Sequence, residues 1–380
     1  MRKRFLTIMY YDDIGKQHLY KDTGSIPLAL AKYYNWDSTF AYVNFNGEIH
    51  DYNYEKYVKL MPITKRKNSF FSISMFLLRN SAHYDVLNFY HFIRKHLLFL
   101  VIAKCMNPHI KVYVKTDMGR EALRHLHRSK FVNILIRILG HLGLLPDLCT
   151  VETKKYLKLF SQTDLYRGRI QYLPNGFWRD EQIPADLSNK KENIILTVGR
   201  LGTRQKNTEL LLDSFAAIPL EDRKNWKLFL VGSYTPDILT KAKDMIAADS
   251  SLFDSIIFTG NVDNKKQLNL YYTRAAVFCL PSRWEGSPLV LPEAMHHGCF
   301  PIVTNFCDAI YDLLKNGEYG YIVPNENKQV LIENLVKAMK NKDYIVDRGI
   351  RGKAYVDQYF DWEQIIKRLQ GYLEDADKKK

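Results

Sequence analysis

Residues 280–295, LPSRWEGSPLVLPEAM, join an apolar run to a short segment of helical character. The run 276–280 predicts a buried strand, Gly286 marks a turn, and Pro292 and Gly298 lie near the start and just past the end of a short helix. Ligands of open α/β sheets bind outside the carboxyl ends of the strands, where free amides at a helix start can receive phosphate oxygens. This stretch therefore predicts a strand, a ligand-binding loop and a helix.

Two glutamates stand eight positions apart in this stretch, Glu285 before the turn and Glu293 inside the helix. If a nucleotide lay along the segment, its transferred group would lie near Glu285 and its ribose hydroxyls near Glu293. The alternative is that Glu285 is an exposed acid and Glu293 an acid on the helix surface.

A second loop of the same kind lies in residues 194–207, IILTVGRLGTRQKN. An apolar strand ends at Gly199, and Arg200 and Lys206 follow in one loop before the next helix. Two fixed cations beside the amides of a helix start would hold a diphosphate. The alternative is a solvated basic loop, and the spacing of a dinucleotide fingerprint is absent.

Strand-like and helix-like segments alternate on both sides of a polar stretch. This alternation predicts an α/β fold of two doubly wound, Rossmann-like domains facing each other across a cleft. We predict one domain over 1–177, a linker over 178–192 and a second domain over 193–354. Residues 355–380 predict a C-terminal helix over 355–373 and a tail. One face of this helix would be apolar, formed by Phe360, Trp362, Ile365, Ile366, Leu369 and Leu373.

The length and composition agree with two globular domains. The chain has 380 residues, 46% hydrophobic and 25% charged, which excludes wholesale disorder. The five cysteines are dispersed without metal-binding spacing, which favours a reducing cytoplasm. No apolar run is long enough to span a membrane.

The net charge of +14 is distributed unevenly. Residues 1–177 contain 27 Lys and Arg against 13 Asp and Glu, whereas residues 178–380 contain 28 of each class. The first half therefore faces an anionic partner, such as nucleic acid, a lipid surface or a phosphorylated substrate. Its basic residues are scattered among strands and helices without a recognition motif, which disfavours nucleic acid.

The two loops resemble the motifs of family-four retaining glycosyltransferases of the GT-B architecture. The run SRWEGSPLVLPEAM resembles their E-x7-E signature, and GRLGTRQKNTELLLDSF, with its G-R-x5-K spacing, resembles their donor-phosphate loop. Weaker matches are FLVG at 229–232, FTGNV at 258–262, PNG at 174–176 and FDW at 360–362. The resemblance is specific over about 194–305 and weaker in the first half.

The resemblance implies that 193–354 is the nucleotide-sugar-binding domain, that 1–177 is the acceptor-side domain, and that the C-terminal helix within 355–380 crosses back to the first domain. It also implies a role for each matching residue. Arg200 and Lys206 would neutralise the donor diphosphate, Glu285 would contact sugar hydroxyls, and Glu293 would bind the ribose. The other donor contacts that it implies are Gly199, Val262 near the base, and the amides of Gly286, Ser287, Leu289 and Val290.

The first half departs from the family pattern. Many members carry a His-Asp pair at the end of a middle strand, where this chain has Lys115-Thr116-Asp117. Asp117 is a candidate for contact with the acceptor or the sugar, and a cap of the loop is the alternative. Asp12-Asp13 lacks metal-site spacing, and His296-His297 is predicted on a helix surface, so no metal site is predicted.

The resemblance implies a retaining, metal-independent hexosyltransferase that needs no cofactor beyond its co-substrate. A nucleotide-diphosphate sugar, with a UDP-sugar favoured, would donate to a hydroxyl of a glycan or lipid-linked acceptor in cell-surface polysaccharide or glycoconjugate assembly. The sequence shows no carboxylate nucleophile. We therefore expect the acceptor hydroxyl to attack the sugar on the same face from which the phosphate departs. The alternative is a non-catalytic GT-B-like subunit that binds a sugar nucleotide or a partner.

A membrane surface is the second interpretation of the basic half. In 128–145, Asn133, Arg137 and His141 form a narrow polar stripe on an apolar helical pattern. This pattern predicts either a helix in contact with an anionic bilayer or a buried core helix. With the first reading, the protein would be cytoplasmic and peripheral on the inner face of the cell membrane.

Overall fold

The computed structural model describes residues 2–10, 15–44, 48–64, 68–91, 94–116, 138, 140, 143–163, 166, 168–179, 187 and 191–378. The chain forms two compact units, which are residues 1–175 with 362–380, and residues 176–361. Most of the predicted linker and of the predicted helix over 128–145, together with Asp12, Asp13 and Asp117, lie outside the described residues.

The first unit is built on a seven-stranded sheet in the order β3-β2-β1-β4-β5-β6-β7, and every neighbouring pair is parallel. Its strands are β1 (Arg4–Met9), β2 (Asp37–Asn44), β3 (Val58–Thr64), β4 (Val86–Tyr90), β5 (Lys111–Thr116), β6 (Leu148–Val151) and β7 (Ile170–Tyr172). Its described α-helices are Asp22–Tyr34, Tyr52–Glu55, Ser69–Asn80, Arg94–Met106, Lys154–Phe160 and Trp362–Lys378, and Lys16–Leu19 and Ser81–His83 are 3-10 turns.

The second unit repeats this plan with a six-stranded parallel sheet in the order β10-β9-β8-β11-β12-β13. Its strands are β8 (Glu192–Val198), β9 (Lys227–Val231), β10 (Ile256–Gly260), β11 (Ala275–Leu280), β12 (Phe300–Thr304) and β13 (Tyr321–Val323). Its α-helices are Thr208–Ala216, Leu220–Arg223, Pro236–Ala248, Lys265–Arg274, Val290–His296, Ala309–Leu313, Lys328–Lys340 and Lys342–Tyr359, and Ser250–Leu252 and Lys315–Gly317 are 3-10 turns.

The strands of the second unit are covered on both faces. In β8, Ile195 packs into one hydrophobic cluster, whereas Ile194, Leu196 and Val198 pack into another. Successive side chains of a strand point to opposite faces, so a strand covered on both sides is apolar at consecutive positions. This confirms the prediction of parallel sheets with helices on both faces.

The C-terminal helix differs from the prediction of one helix over 355–373. Helix Lys342–Tyr359 ends before Phe360 and Asp361, and a separate helix, Trp362–Lys378, belongs to the first unit. The amide of Phe177 donates to the Phe360 carbonyl at 3.0 Å, which holds the break in place.

The predicted apolar face of the last helix is confirmed. Its inward side chains, Trp362, Ile365, Ile366, Leu369 and Leu373, are all buried. Lys111 Nζ donates to the Leu373 carbonyl at 3.1 Å, and the Tyr372 hydroxyl donates to the Tyr172 carbonyl at 3.2 Å. Of the helices that the structure describes, none is long and apolar enough to cross a membrane.

Candidate functional site

The two loops that the sequence singles out lie at neighbouring strand ends in the second unit. One follows β8 and the other follows β11, and these strands pair at the centre of the sheet. The strand order reverses at this point, so the connections on the two sides diverge and leave a crevice. The sheet therefore brings Arg200, Lys206 and Glu285 to one edge.

A cavity of about 350 Å³ opens at this edge. Its walls come from the last residues of β8 and β9 and from the residues that follow β8, β9, β10 and β11, namely Val198, Gly199, Arg200, Gln205, Lys206, Val231, Gly232, Ser233, Asn261, Val262, Leu268 and Glu285. Five of the predicted site residues are among them: Gly199, Arg200, Lys206, Val262 and Glu285.

Two glycines allow the loops after β8 and β9 to approach each other closely. Gly199 has φ +152° and Gly232 has φ +129°, conformations that favour glycine. A Cβ atom on Gly232 would lie 2.0 Å from the Gly199 carbonyl oxygen, and one on Gly199 would lie 3.0 Å from Lys206 Cε. The wall at this point is therefore backbone, which leaves the space open for a ligand.

Hydrogen bonds within one turn hold the two cations of the first loop. Arg200 donates from Nη2 to Gln205 Oε1 at 2.9 Å, and Thr203 Oγ1 donates to the Arg200 carbonyl at 2.9 Å. The Lys206 amide donates to the Thr203 carbonyl at 3.0 Å. Asn207, in the left-handed conformation with φ 51°, then starts helix Thr208–Ala216. The turn directs both Arg200 and Lys206 toward the cavity.

Lys206 and Glu285 form an ion pair between the two loops. Lys206 Nζ lies 2.6 Å from Glu285 Oε1, and the two side chains are 13% and 9% exposed. Ser282 Oγ donates to the same Oε1 atom at 2.6 Å. A low local dielectric strengthens both contacts, which fix the orientation of the carboxylate at the cavity wall.

A second set of contacts joins these loops and was missed by the sequence analysis. The Arg283 amide donates to the Gln205 carbonyl at 2.8 Å, and Arg283 Nη1 donates to the Arg204 carbonyl at 2.8 Å. Arg283 also pairs with Glu326. No local sequence signal reveals these partners because Glu326 is 43 positions from Arg283.

The remaining predicted residues lie around helix Val290–His296. Glu293, in its first turn, is not among the residues that line the cavity, and its Oε1 atom lies 2.9 Å from Lys265 Nζ. Gly286, Ser287 and Leu289 lie in the loop before this helix. The Leu289 amide donates to the Ser287 carbonyl at 3.0 Å, so in this structure it already has a partner within the loop.

The prediction that His296 and His297 lie on a helix surface is wrong. Both are buried, and His296 Nδ1 lies 2.5 Å from Asp357 Oδ1 on helix Lys342–Tyr359. His297 Nδ1 lies 3.1 Å from Thr273 Oγ1, and the His297 carbonyl accepts a bond of 2.7 Å from Lys191 Nζ. Among the described residues, no three His, Cys, Asp or Glu side chains are grouped as metal ligands would be.

The second unit matches a known protein family. Residues 179–355 match the family described as glycosyl transferases group 1. The chain is 28% identical over 178 residues to the GalNAc-alpha-(1->4)-GalNAc-alpha-(1->3)-diNAcBac-PP-undecaprenol alpha-1,4-N-acetyl-D-galactosaminyltransferase of Campylobacter jejuni, an alignment that covers 46% of each chain. The chain spans about half the length of the first curated relatives that it matches.

Solved structures resemble the chain over its whole length. Sucrose-phosphate synthase from Thermosynechococcus elongatus superposes with a TM-score of 0.64 at 19% identity and covers 100% of both chains. The Anabaena protein Alr3699/HepE, solved in complex with UDP, superposes with a TM-score of 0.67 at 15% identity and covers 99% of this chain and 100% of its own. At these identities the likeness shows a common fold.

Proposed function

We propose that this chain, which belongs to the family-four glycosyltransferases and has their GT-B fold, transfers a sugar from a nucleotide-diphosphate sugar to a hydroxyl group. The observation that carries this proposal is the cavity between the loops after β8 and β11, with Arg200, Lys206 and Glu285 in its walls. Its two cations suit a diphosphate, and the carboxylate suits the hydroxyls of a sugar.

The donor that we propose is a UDP-sugar. A cavity of about 350 Å³ has room for much of a nucleotide, and Asn261 and Val262 at its wall offer a polar and an apolar group to a base. The Anabaena protein of the same fold was solved with UDP. Glu293 would bind the ribose hydroxyls, in exchange for its present contact with Lys265.

We propose a retaining reaction that requires no metal ion. As the bond between sugar and phosphate breaks, negative charge would grow on the leaving diphosphate, and Arg200 and Lys206 would stabilise it. The Lys206 ammonium now pairs with Glu285 at 2.6 Å, so donor binding would divide this cation between the carboxylate and the phosphate. The departing phosphate would accept the proton of the acceptor hydroxyl and guide attack to the same face of the sugar.

The acceptor that we propose is a glycan or a lipid-linked glycan in cell-surface polysaccharide or glycoconjugate assembly. The name of the Campylobacter relative describes transfer to a glycan carried on PP-undecaprenol. We propose that this protein likewise works beside a membrane that holds its acceptor, with Asp117 as the candidate residue for acceptor contact.

The experiment that tests this function is a screen of nucleotide sugars for turnover, followed by Arg200→Ala on the active donor. Loss of one preorganised charge donor typically lowers kcat by about 10²–10³-fold, and we expect a fall of that size. Arg351→Ala is the matched control, because Arg351 pairs with Asp347 on an exposed helix face. The configuration of the product at the anomeric carbon, read by NMR, tests retention.

Two results would count against the proposal. Near-normal turnover in Arg200→Ala would remove the assigned role of the cavity. Donor binding without any turnover by the wild-type protein, with every acceptor class tried, would instead indicate a sugar-nucleotide-binding subunit.

A further inference from the structure

Trp284 lies beside the cavity of the second unit with much of its surface exposed. It directly precedes Glu285, which is in the cavity wall, whereas Trp284 is not among the residues that form the wall. Trp284 is 49% exposed, and the other four tryptophans are buried or half-buried, namely Trp36, Trp178, Trp226 and Trp362. An exposed tryptophan beside a binding site is typical of a contact residue, because its large rigid ring provides contact area at a small cost in conformational entropy.

The backbone that carries Trp284 is fixed by contacts with two other loops. The Arg283 amide donates to the Gln205 carbonyl at 2.8 Å, and Arg283 Nη1 donates to the Arg204 carbonyl at 2.8 Å. The Arg283 carbonyl in turn accepts a bond of 2.9 Å from Asn325 Nδ2. The position of Trp284 is therefore set before any ligand arrives, which lowers the entropic cost of binding one.

Arg204 holds the indole ring from one side. Its guanidinium carbon lies over the ring of Trp284, 6.0 Å from the centroid, which is within the range of a cation–π contact. Arg204 is itself exposed. The ring thus has a cation over one face, while the exposure of Trp284 leaves apolar surface for a ligand.

The space next to Trp284 is open. Gly286 is exposed, and a Cβ atom built on it would meet nothing within 4 Å. In the function proposed above, Arg200 and Lys206 hold the diphosphate inside the cavity and Glu285 meets the transferred sugar. The group that lies beyond this sugar must be the acceptor, because its hydroxyl has to come within about 3–3.5 Å of the sugar carbon.

We infer that Trp284 binds a sugar ring of the acceptor by stacking its indole against the apolar face of the pyranose. A pyranose ring carries C–H groups on its faces and hydroxyl groups at its edge. The indole provides a matching apolar face, and the N–H groups of Arg204 are donors for the hydroxyls. This inference rests on the proposed function and deepens it, since it assigns part of the acceptor site to the loop that carries Glu285.

The first test compares the KM values of the acceptor and the donor. Trp284→Ala should raise the KM of the acceptor by about tenfold and that of the donor by less than about twofold. Trp284→Phe retains an aromatic face and should recover most of the loss.

The matched control for this test is Tyr344→Ala. Tyr344 is 48% exposed, and the guanidinium carbon of Arg348 lies 5.4 Å from the centroid of its ring. Both belong to helix Lys342–Tyr359, which contributes no residue to the described cavity wall. Loss of an exposed aromatic ring and its cation–π contact at this position should leave both KM values unchanged.

The second test measures sugar binding without turnover. Fluorine NMR of protein labelled with fluorotryptophan should show one resonance for each of the five tryptophans, and the resonance of Trp284 is the one missing from Trp284→Phe. The probes are the methyl glycosides of glucose, galactose and N-acetylgalactosamine, each titrated with UDP present throughout. We expect at least one glycoside to shift the resonance of Trp284 and to leave the other four in place.

Three outcomes would overturn the inference. They are a Trp284 resonance that no glycoside shifts, an acceptor KM that Trp284→Ala raises no more than Tyr344→Ala does, and a donor KM that rises as much as the acceptor KM. If the wild type dimerises and Trp284→Ala is monomeric with unchanged glycoside binding, the ring is a contact between copies and the assignment is wrong. A protein that turns over no donor but shows the glycoside shift would refute the proposed transferase activity and leave the sugar-binding role of Trp284 standing.

Discussion

Each unit has a lysine paired with a glutamate at the carboxyl ends of its strands, and the two pairs differ in their surroundings. In the second unit, Lys206 and Glu285 are 2.6 Å apart and line a cavity. In the first unit, Lys115 on β5 lies 3.4 Å from Glu152, which follows β6, and its side chain is completely buried. The same chemistry at the same edge of similar sheets therefore occupies two different environments.

The two lysines differ in whether a ligand could reach them. A third charged group, Asp22, lies 4.0 Å from Lys115 Nζ, which also donates to the Leu173 carbonyl at 3.3 Å. A fully buried ammonium with these partners holds the chain segments together, whereas the cavity gives Lys206 access to a diphosphate. We therefore expect Lys115 to matter for stability and Lys206 for turnover.

The largest expected effect is that of Lys115→Ala on stability. Lys115→Ala removes a fully buried ammonium that lies within 4.0 Å of the carboxylates of Asp22 and Glu152, and removal of one partner of a buried ion pair costs about 3–5 kcal/mol in the free energy of unfolding. Chemical denaturation of both proteins measures this loss. Lys3→Ala is the control, because Lys3 pairs with Glu374 at the surface of the same unit and should cost under about 1 kcal/mol.

A double variant refines this prediction. Glu152→Gln removes the charge of one carboxylate that Lys115 contacts. The loss in the free energy of unfolding for the two substitutions together should therefore be smaller than the sum of their separate losses. Strict additivity, or a loss below about 1 kcal/mol for Lys115→Ala alone, would show that the first-unit pair resembles a surface contact.

Buried histidines allow the two units to be compared in how their stability depends on pH. His96 in the first unit stacks on Phe89. Its Nδ1–H donates to the His91 carbonyl at 2.8 Å, since a carbonyl oxygen can only accept. Burial lowers the pKa of His96 from 6.5 to about 4, with a smaller opposing effect of the His91 carbonyl. In the second unit, His296 instead faces Asp357.

This difference predicts that acid weakens the first unit through His96. The unfolded chain takes up a proton below about pH 6.5 and the folded chain only below about pH 4, so stability falls as pH decreases between these values. The full loss is about 3 kcal/mol, since one pKa unit corresponds to about 1.4 kcal/mol. Thermal unfolding of His96→Phe against pH should show a smaller slope in this window.

The exposed His109 supplies the control for the pH experiment. His109→Gln should keep the wild-type slope between pH 6.5 and pH 4. If His96→Phe keeps it too, other groups determine the acid sensitivity, and the contrast between the two buried histidines has no consequence for stability.

The sequence predicted the backbone plan because strand and helix periodicity is local. It also identified the two loops, because ligands of open α/β sheets bind outside the carboxyl ends of the strands and Arg200, Lys206 and Glu285 follow such ends. It could not predict which side chains touch. Lys206 and Glu285 are 79 positions apart, and Ser282, which fixes the carboxylate, has no distinctive pattern around it.

Burial was the second quantity that local patterns left undetermined. Helix Val290–His296 is only seven residues long, too short for periodicity to reveal which faces are covered, and the packing of helix Lys342–Tyr359 buries His296. The break at Phe360 and Asp361 was missed for a related reason. The apolar spacing continues through it, and only the contact with Phe177 shows where one helix ends.

The smallest expected effect concerns stability at the cavity. Lys206→Met retains most of the aliphatic stem that lies beside Gly199 and removes the charge, and Ser282 continues to donate to Glu285. Lys206 and Glu285 are only 13% and 9% exposed, but they line the cavity and Ser282 keeps its bond to the carboxylate, so we expect the free energy of unfolding to fall by about 1–2 kcal/mol, less than for Lys115→Ala. Turnover of the donor should nevertheless fall by about 10²-fold or more, because the cation that meets the leaving phosphate is lost. Denaturation and steady-state rates on one preparation separate these effects: a loss of stability as large as that of Lys115→Ala would make Lys206 a structural residue, and the two lysine–glutamate pairs would then be equivalent.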